Sequence, residues 1–415
     1  MDLETDIIIV GGAVAGAALA CALAKYNFKV LVVDRRKDPG SMNRGDGLQP
    51  RTLEILEQWG VLQQIQQIPH IKSYGIELHH GVFKELMKID LKPLSSSKYN
   101  YIMNIPHREI EQGLLDWANS YEHIQIMRGS SVERMLYNDQ GNVSGVVIKT
   151  GKELTTCHAK IVVAADGGQS LLRKELSIKA DRMVYNHELV VLHMPRPASF
   201  QGDLRTQVHL HRDGAVVLIP LPDQQMRITV VVPSGKASEW RKYSDNELLQ
   251  QLARRVPMLK EISIFHREGE HVYKMVRMHA DQYYAKQAAL IGDAAHLTHA
   301  SSGQGMNMAI QDADVLSKLL AKSLHGQLAI DEALALYEQV RKPINEDILS
   351  RSNFMSSVVF TPNKLLHAGK MFGMFSTRFL PGLRHKISSK IALGIAGVNQ
   401  EETIRLQLSS VIEHM

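Results

Sequence analysis

Cysteine is scarce in this chain of 415 residues, which contains only Cys21 and Cys157. Two cysteines cannot form the disulfide framework that stabilises small secreted domains, and they leave no zinc site of the cysteine type. We therefore expect the protein to work in a reducing compartment. We predict a cytoplasmic location and leave attachment to a membrane open.

The sequence also lacks a signal peptide and long runs of like charge. An apolar stretch spans residues 7–24, and a β-branched run, two glycines and an alanine-rich run follow one another in it. That order predicts a strand, a turn and a helix rather than a membrane span. The residues before it are acidic (Asp2, Glu4, Asp6), whereas a signal peptide begins with basic residues. The net charge is only +5 and is not concentrated in runs, so we exclude nucleic acid as a partner.

One region, residues 351–400, has no acidic residue. Apolar residues interleave there with basic ones, namely Arg351, Lys364, Lys370, Arg378, Arg384, Lys386 and Lys390. This pattern is typical of helices that rest on a membrane surface. The alternative is a helix that packs against the rest of the protein with its lysines in water. The sequence leaves both interpretations open, and it does not indicate an oligomeric state.

The order of the predicted elements indicates an α/β architecture. A strand at 6–10, a helix at 14–26 and a strand at 29–34 form a β-α-β unit, and such units build parallel sheets. Further helices are predicted at 50–67 and 108–120.

Two stretches, 71–104 and 181–280, consist instead of short alternating segments. They predict a second, mostly antiparallel sheet that binds the substrate. The chain therefore leaves the first domain and returns to it, and we expect residues 346–415 to form a C-terminal helical segment. The predicted first domain comprises residues 1–70, 105–180 and 281–345.

The turn after the first strand reads GGAVAG and spans residues 11–16. A dinucleotide fold needs a tight turn, close backbone approach to a pyrophosphate and close packing of helix on strand. Gly11 suits the first requirement and Gly16 the third, while Ala13 stands at the middle position. Asp34 ends the second strand, where an acid can accept hydrogen bonds from a ribose. The alternative is a small-residue helix packed on a sheet without a ligand.

Three further clusters follow predicted strands or begin predicted helices. Arg108 begins a helix, and Asp166 follows a buried strand. In the third cluster, Asp293 follows a short strand, and the next helix begins near Gly305 with Asn307 as its expected cap. Each cluster alone is common in ordinary sheets and helices.

Together these motifs resemble one family, the single-component (group A) FAD-dependent aromatic hydroxylases, which include the para-hydroxybenzoate and ubiquinone-pathway hydroxylases. The resemblance covers residues 5–345. It implies a Rossmann-like, glutathione-reductase-type FAD-binding domain with an inserted, mostly antiparallel substrate-binding sheet and C-terminal helices. The motifs are GGAVAG at 11–16, RGDGLQPRTLEIL at 44–56, HREIEQGLL at 107–115, ADGGQSLLR at 165–173 and GDAAHLTHASSGQGMN at 292–307.

The resemblance also implies a set of cofactor-binding residues. The glycine turn and Asp34 would hold the ADP half of FAD, Asp166 would lie beside the pyrophosphate, and Asp293 would bond the ribityl chain. Arg44 and Arg108 would approach the flavin or the pyrophosphate, and backbone amides at the start of the next helix would meet the pyrimidine edge of the flavin. The full set is Gly11, Ala13, Val14, Ala15, Gly16, Asp34, Arg35, Arg44, Arg108, Val132, Asp166, Asp293, Gly303, Gly305, Met306 and Asn307.

The reaction that the resemblance implies is hydroxylation or epoxidation of an aromatic or quinone-like small molecule through a flavin C4a-hydroperoxide. O2 and NAD(P)H would be the co-substrates. NAD(P)H would bind transiently, because no second GxGxxG follows a strand. The alternatives are an FAD-linked reductase or oxidase of the same fold, and a flavin-binding protein without oxygenase activity. We expect no catalytic triad, because a closed apolar pocket matters more to this chemistry than an acid or base.

One position departs from the family pattern. His299 and Ala300 stand where the family usually has proline. We hypothesise that His299 contacts the substrate or the distal oxygen of the peroxide, and the alternative is a histidine satisfied by backbone hydrogen bonds. His209 and His211 share one face of a predicted strand, but no further ligands are spaced to complete a metal site with them.

Overall fold

The computed structural model describes residues 2–38, 47–93, 98–200, 202–263 and 271–396. Within these ranges it contains two large sheets, one small sheet and helices that cover their faces. The predicted α/β class with a second, mostly antiparallel sheet is confirmed. The strands are β1 (Asp2–Val10), β2 (Val30–Asp34), β3 (Gly47–Leu48), β4 (Ile71–Ser73), β5 (Gly75–His80), β6 (Lys84–Asp90), β7 (Ile102–Asn104), β8 (Ile124–Arg128), β9 (Ser130–Tyr137), β10 (Val143–Thr150), β11 (Glu153–Ala164), β12 (Ala180–Pro195), β13 (Thr206–Leu210), β14 (Val216–Pro220), β15 (Gln225–Pro233), β16 (His271–Ala280), β17 (Tyr284–Ala285), β18 (Ala288–Leu290) and β19 (His296–Leu297).

The helices alternate with the strands in the first half of the chain and dominate its last third. They are α1 (Val14–Leu23), α2 (Pro50–Gln58), α3 (Leu62–Ile65), α4 (His107–Asn119), α5 (Leu171–Glu175), α6 (Ala237–Lys242), α7 (Asp245–Arg255), α8 (Gly305–Leu324), α9 (Ile330–Val359), α10 (Lys364–Ser376) and α11 (Pro381–Ala396). No helix in the described ranges is long and apolar enough to cross a membrane.

The first sheet is built around the parallel strands β1, β2 and β11. Its order is β17-β18-β11-β1-β2-β8, and β9 and β10 extend it as an antiparallel ribbon from β11. Ile7, Ile8 and Ile9 are fully buried in the hydrophobic core that surrounds β1. Every residue of α1 is buried, and its alanines allow close packing against the sheet and α8. This arrangement brings the ends of β1, β2 and β11 to one edge.

The second sheet has the order β19-β16-β12-β15-β14-β13-β5-β6, and all its pairs are antiparallel except β13 with β5. One face, with Val190, Val216 and Val230 at its centre, packs against α6 and α7. The other face carries Leu189 and Val231, and it packs against the end of α9 and against α10 and α11. Strand β19 pairs with β16, so the 292–307 segment touches the second sheet directly.

Three sequence expectations need correction. The helix expected at 50–67 is divided into α2 and α3, because Gly60 adopts a φ of 86° that ends the first helix. The end strands of the 71–104 stretch, β4 and β7, do not join the second sheet. They pair with β3 in a separate small sheet. The boundary predicted at residue 345 lies inside α9, which continues to Val359.

Candidate active site

The glycine turn at 11–16 is shaped by close backbone contacts. Gly11 has a φ of 106°, and a Cβ there would lie 2.3 Å from the carbonyl oxygen of Ala165. A Cβ on Gly16 would lie 1.8 Å from the carbonyl oxygen of Gly11. Only glycine fits at both positions, because β1, α1 and the end of β11 meet there.

The N-terminus of α1 faces this turn without a capping side chain. Ala13 precedes the helix and makes no side-chain cap, and the first turn, which contains Val14, Ala15 and Gly16, has no acidic residue. The first amide groups of a helix carry a partial positive charge and have no partner within the helix. These features suit a bound phosphate.

Asp34 ends β2 beside the turn and is buried. Its carboxylate accepts hydrogen bonds from the Gly12 amide at 3.1 Å and from Arg36 Nη2 at 2.6 Å. Arg36 also pairs with Glu111 of α4 at 2.9 Å. Burial raises the pKa of Glu111, against the opposing effect of Arg36. Sequence reasoning missed Arg36 and Glu111, although Arg36 stands two residues after the predicted acid.

Asp166 follows β11 at the same edge and bonds the first turn of α5, whose N-cap is Ser170. Its Oδ2 accepts hydrogen bonds from the amides of Leu171 and Leu172, at 2.8 and 3.3 Å. Its Oδ1 is buried and has no hydrogen-bond partner among the described residues. Arg173 then donates to the carbonyl oxygen of Ala294 at 2.7 Å, which ties this segment to the 292–307 segment. An unpaired carboxylate oxygen suits the hydroxyl groups of a dinucleotide.

The first half of the 292–307 segment is anchored by a fully buried carboxylate that the sequence did not indicate. Asp312 of α8 accepts hydrogen bonds from the Gly292 amide at 3.1 Å and pairs with His296 Nε2 at 2.6 Å. Arg341 of α9 pairs with its other oxygen at 2.9 Å. Burial alone would raise the pKa of Asp312, but His296 and Arg341 lower it below the ordinary range. Asp293 lies half-buried in the turn that this network holds.

The second half of the segment is anchored by a pair of histidines. His299 is fully buried, and its Nε2 lies 2.6 Å from Nε2 of His187 on β12. Its Nδ1 accepts a hydrogen bond from the Ser301 amide at 3.1 Å. We therefore assign the proton of His299 to Nε2, which donates to His187. Burial lowers the pKa of His299 to about 3 and that of His187 to about 4, so both rings are neutral at pH 7.

The carbonyl oxygen of His299 is also engaged. It accepts hydrogen bonds from Ser302 Oγ at 2.9 Å and from Ser352 Oγ of α9 at 3.2 Å. Of the two interpretations, the arrangement favours a satisfied histidine, although two partners of its ring, His187 and the Ser301 hydroxyl, are side chains rather than backbone groups. Direct contact of His299 with a substrate stays a prediction, and it requires the ring to leave these partners.

The start of α8 differs from the expectation for Asn307. The helix begins at Gly305, so Asn307 is its third residue and not its cap. The Asn307 side chain accepts hydrogen bonds from the Gln49 amide at 2.9 Å and Thr52 Oγ at 2.7 Å, and it donates to the carbonyl oxygen of Gly47 at 3.0 Å. It therefore ties α8 to α2 and β3. No side chain caps the first turn of α8, and this turn contains no acidic residue. The backbone amides of residues 305–307 belong to this turn.

The remaining site residues predicted from the sequence differ in their exposure to solvent. Arg35 and Arg108 are exposed, and Val132 is buried in β9. Gly303 follows a short turn with a φ of 60°. Arg44 lies outside the described residues.

The small sheet links the start of α8 to the second sheet. Gly47 of β3 accepts a hydrogen bond from Asn307, and Asn104 of β7 donates to the carbonyl oxygen of Pro220 at 3.3 Å. Strands β12, β14 and β15 carry a common set of side chains on the face that also bears Leu189, because paired residues share a face, and we call this face the wall. The set is Val191, His193, Val217, Ile219, Arg227 and Thr229. The sequence alone did not distinguish these side chains.

His209 and His211 do not form a ligand set. His209 stacks on His79 with ring centroids 4.9 Å apart, and β13 ends at Leu210, before His211. Across the described ranges, no group of three or more histidine, cysteine or acidic side chains is arranged to hold a metal ion.

Comparison with known proteins gives a consistent result. The family described as FAD binding domain matches residues 4–352. Rifampicin monooxygenase of Streptomyces venezuelae is 28% identical, over 86% of this chain and 72% of its own length. The ubiquinone hydroxylase UbiM of Neisseria meningitidis is 26% identical, over 78% of this chain and 70% of its own.

Solved structures share the fold at lower identity. PqsL of Pseudomonas aeruginosa, in complex with 2-aminobenzoylacetate, superposes with a TM-score of 0.79 at 22% identity. The match covers 89% of this chain and all of PqsL. The p-nitrophenol 4-monooxygenase PnpA of Pseudomonas putida gives a TM-score of 0.78 at 18% identity, over 95% of this chain and 98% of its own.

Proposed function

We propose residue roles and a substrate class from the premise that this chain belongs to the FAD binding domain family, which matches residues 4–352. The chain is an FAD-dependent monooxygenase that uses NAD(P)H and O2 to oxygenate an aromatic or quinone-like small molecule. The observation that carries the cofactor assignment is the edge of the first sheet. At this edge the turn accepts only glycine at positions 11 and 16. Beside it, the buried acceptor Asp166 Oδ1 has no hydrogen-bond partner among the described residues.

In our proposal the ADP half lies against this edge. The amides of residues 13–16, at the start of α1, hold the pyrophosphate, and Asp166 accepts a hydrogen bond from the cofactor. Asp34 is already bonded to Gly12 and Arg36, so a ribose hydroxyl shares this carboxylate with Arg36. The proposal also retains four further members of the cofactor-binding set that the resemblance implies, namely Arg35, Arg44, Arg108 and Val132.

Asp293 and the start of α8 would hold the flavin half. When bound, FAD supplies the redox chemistry that activates O2. The amides of 305–307 then stabilise negative charge on the pyrimidine edge, by roughly 0.3–2 kcal/mol for a helix terminus. No acidic residue in the first turn of α8 opposes this effect.

The substrate lies between the start of α8 and the wall of β12, β14 and β15. Apolar contact comes from Val217, Ile219 and Thr229. These side chains would limit the access of water to the bound flavin and so reduce unproductive side reactions. Arg227 is buried on the same wall, with its Nε 3.4 Å from His193 Nε2. This cation favours a substrate with a carboxylate or an ionised hydroxyl, such as a phenol or a quinolone. The scarcity of cysteine supports a cytoplasmic location.

The test begins with the absorbance spectrum of the purified protein, which should show bound flavin. A screen of phenols and quinolones should then find compounds that accelerate NAD(P)H consumption, with label from ¹⁸O2 in the product. Rapid NAD(P)H oxidation that yields only peroxide with every compound would contradict the monooxygenase assignment and favour an oxidase.

The cofactor geometry has its own test. Asp166→Asn keeps an oxygen for the α5 amides but removes the charge that accepts the cofactor hydrogen bond. A lost charge-assisted bond is equivalent to about 1.5–3 kcal/mol, so FAD should dissociate roughly 10- to 100-fold more readily. Asp139→Asn, an exposed position, is the matched control. Equal FAD affinity in both variants contradicts the role of Asp166.

A further inference from the structure

Helix α10 presents an apolar face to solvent. Leu365 is 85% exposed and Phe372 is 62% exposed, and a residue built on Gly369 or Gly373 would meet nothing within 4 Å. Together with Leu366 and Ala368, these residues form most of the outward side of the helix, and Lys364 at its start is the only charged residue among the exposed positions of α10. A surface helix normally has the reverse arrangement, with polar residues outward.

The apolar surface continues past the end of α10. Phe379 is 73% exposed, and the exposed side chains of Leu380 and of Leu383, which lies in the first turn of α11, follow it. Of the twelve large apolar side chains exposed in the described ranges, seven lie between residues 354 and 383. Single exposed apolar residues are ordinary, but a concentration of this kind marks an interaction site. We call this surface the docking face, defined by Leu365, Leu366, Phe372, Phe379, Leu380 and Leu383.

The charged residues of α10, of α11 and of the turn between them all have one sign. No acidic residue occurs from 352 to 396. Lys370 and Arg384 are used inside the protein, where Lys370 Nζ donates to the carbonyl oxygen of Ser357 at 2.8 Å and Arg384 pairs with Glu85 at 3.0 Å. The other basic side chains are exposed, namely Lys364, Arg378, Lys386 and Lys390.

We propose that the docking face binds peripherally to a bilayer of anionic phospholipid. Leucine and phenylalanine would enter the boundary between headgroups and acyl chains, and the exposed basic residues would pair with lipid phosphates. A second copy of the chain fits less well, because a symmetric contact would bring two basic surfaces together. The inner side of α10 packs on the second sheet, where Phe375 stacks on Phe83 with centroids 4.8 Å apart. Docking therefore holds the substrate sheet near the bilayer.

The proposal is independent of the oxygenase chemistry, since the docking face lies outside the flavin site. The experiment is sedimentation of the full-length protein with sucrose-loaded vesicles. We expect binding to vesicles of equal phosphatidylcholine and phosphatidylglycerol, weak binding to phosphatidylcholine alone, and weaker binding at high salt.

Two double variants separate the apolar and the charged contributions. Leu365→Ser with Phe372→Ser should weaken binding by roughly 100-fold, because two large apolar side chains no longer insert. Lys386→Glu with Lys390→Glu should weaken it by at least about 30-fold, and only on anionic vesicles. The matched control is Leu154→Ser with Lys152→Glu, an exposed pair on the β10–β11 hairpin, which should bind like the original protein.

Circular dichroism and flavin content verify that every variant is folded. Failure of the original protein to bind either vesicle overturns the proposal, as does equal weakening by the control pair. Self-association in sedimentation velocity that Phe372→Ser abolishes, without vesicle binding, would identify a second copy as the occupant and also overturn it.

Discussion

The two halves of the 292–307 segment are held in opposite ways. The first half is fixed by charge, because buried Asp312 pairs with His296 and Arg341. The second half is fixed by a neutral hydrogen bond between His187 and His299, which joins it to the second sheet. Loss of one member of a buried charge network lowers the stability of the fold severely. Loss of one member of a neutral pair lowers it less, and protonation of its histidines makes the stability depend on pH. The half that contains Asp293 is therefore held by buried charge, and the half that contains His299 is the one that acidic pH can loosen.

The largest expected effect comes from breaking the charged anchor. Asp312→Ala leaves Arg341 buried without its carboxylate, which should lower the free energy of unfolding by about 3–5 kcal/mol. Urea denaturation measures this change. The control is Asp347→Ala, because Asp347 forms an exposed pair with Arg351 and its loss should change stability little. A loss under 1 kcal/mol for Asp312→Ala would contradict the importance of the anchor.

Two glycines with the same backbone conformation, one in each half of the 292–307 segment, allow a direct comparison of how the two halves are packed. Gly292 has a φ of 58° and Gly303 a φ of 60°. A Cβ on Gly292 would lie 2.6 Å from Cβ of Ala15, whereas a Cβ on Gly303 would meet nothing within 4 Å. Both alanine variants carry backbone strain of about 1 kcal/mol, but Gly292→Ala should lose about 2–4 kcal/mol in total because α1 must move. Equal losses in thermal or urea unfolding would show that the two halves are packed alike.

The histidine pair should show moderate coupling. His299→Ala and His187→Ala each leave a buried ring nitrogen without its partner, which lowers stability by about 1–3 kcal/mol. A double-mutant cycle should give an interaction energy above about 0.5 kcal/mol. His299→Ala should also increase the peroxide released per NAD(P)H consumed. Unchanged product formation and peroxide release would exclude a role of His299 at the active site.

The effect that is smallest near neutral pH is a dependence on pH, which grows as the pH falls. The folded pKa values of His187 and His299 lie below the ordinary value of 6.5, at about 4 and about 3. The unfolded chain therefore binds protons first as the pH falls from about 6.5, and stability decreases toward the folded pKa values by up to about 1.4 kcal/mol per pH unit for each ring. Asp312 stays ionised through this window, because its pKa is lowered from 3.8.

Other histidines contribute to the same pH window. Burial also lowers the pKa of His193 and of His279 to about 4. The measurement is therefore the difference between the original protein and His299→Gln, which should have the shallower decrease of stability between pH 6.5 and 4. Parallel curves would contradict a neutral, buried His299.

Much of the fold was predictable because its signals are local. The β-branched run, the glycine turn and the alanine-rich helix of residues 6–26 follow from the preferences of neighbouring residues, and the alternating segments indicated the second sheet. Asn307 shows where such reasoning fails. Its position near a helix start suggested a cap, but its side chain bonds Gly47, Gln49 and Thr52, which are remote in sequence.

The docking face shows the same limit. The sequence shows that residues 351–400 lack acids, yet it left membrane contact and internal packing open. The structure adds that Met371 of α10 turns inward while Leu365 and Phe372 turn outward. All three are apolar, so no pattern in the sequence distinguishes them.

By itself the sequence determined the α/β class, the dinucleotide turn and the family resemblance, because each depends on residues close together in the chain or on motifs in a set order. Only the tertiary structure decided which groups neutralise Asp312 and which partner His299 meets. Those contacts join β12, α8 and α9 across more than a hundred residues in the case of His187 and His299. Their strength depends on burial, which arises only when the two sheets and the last helices have packed together.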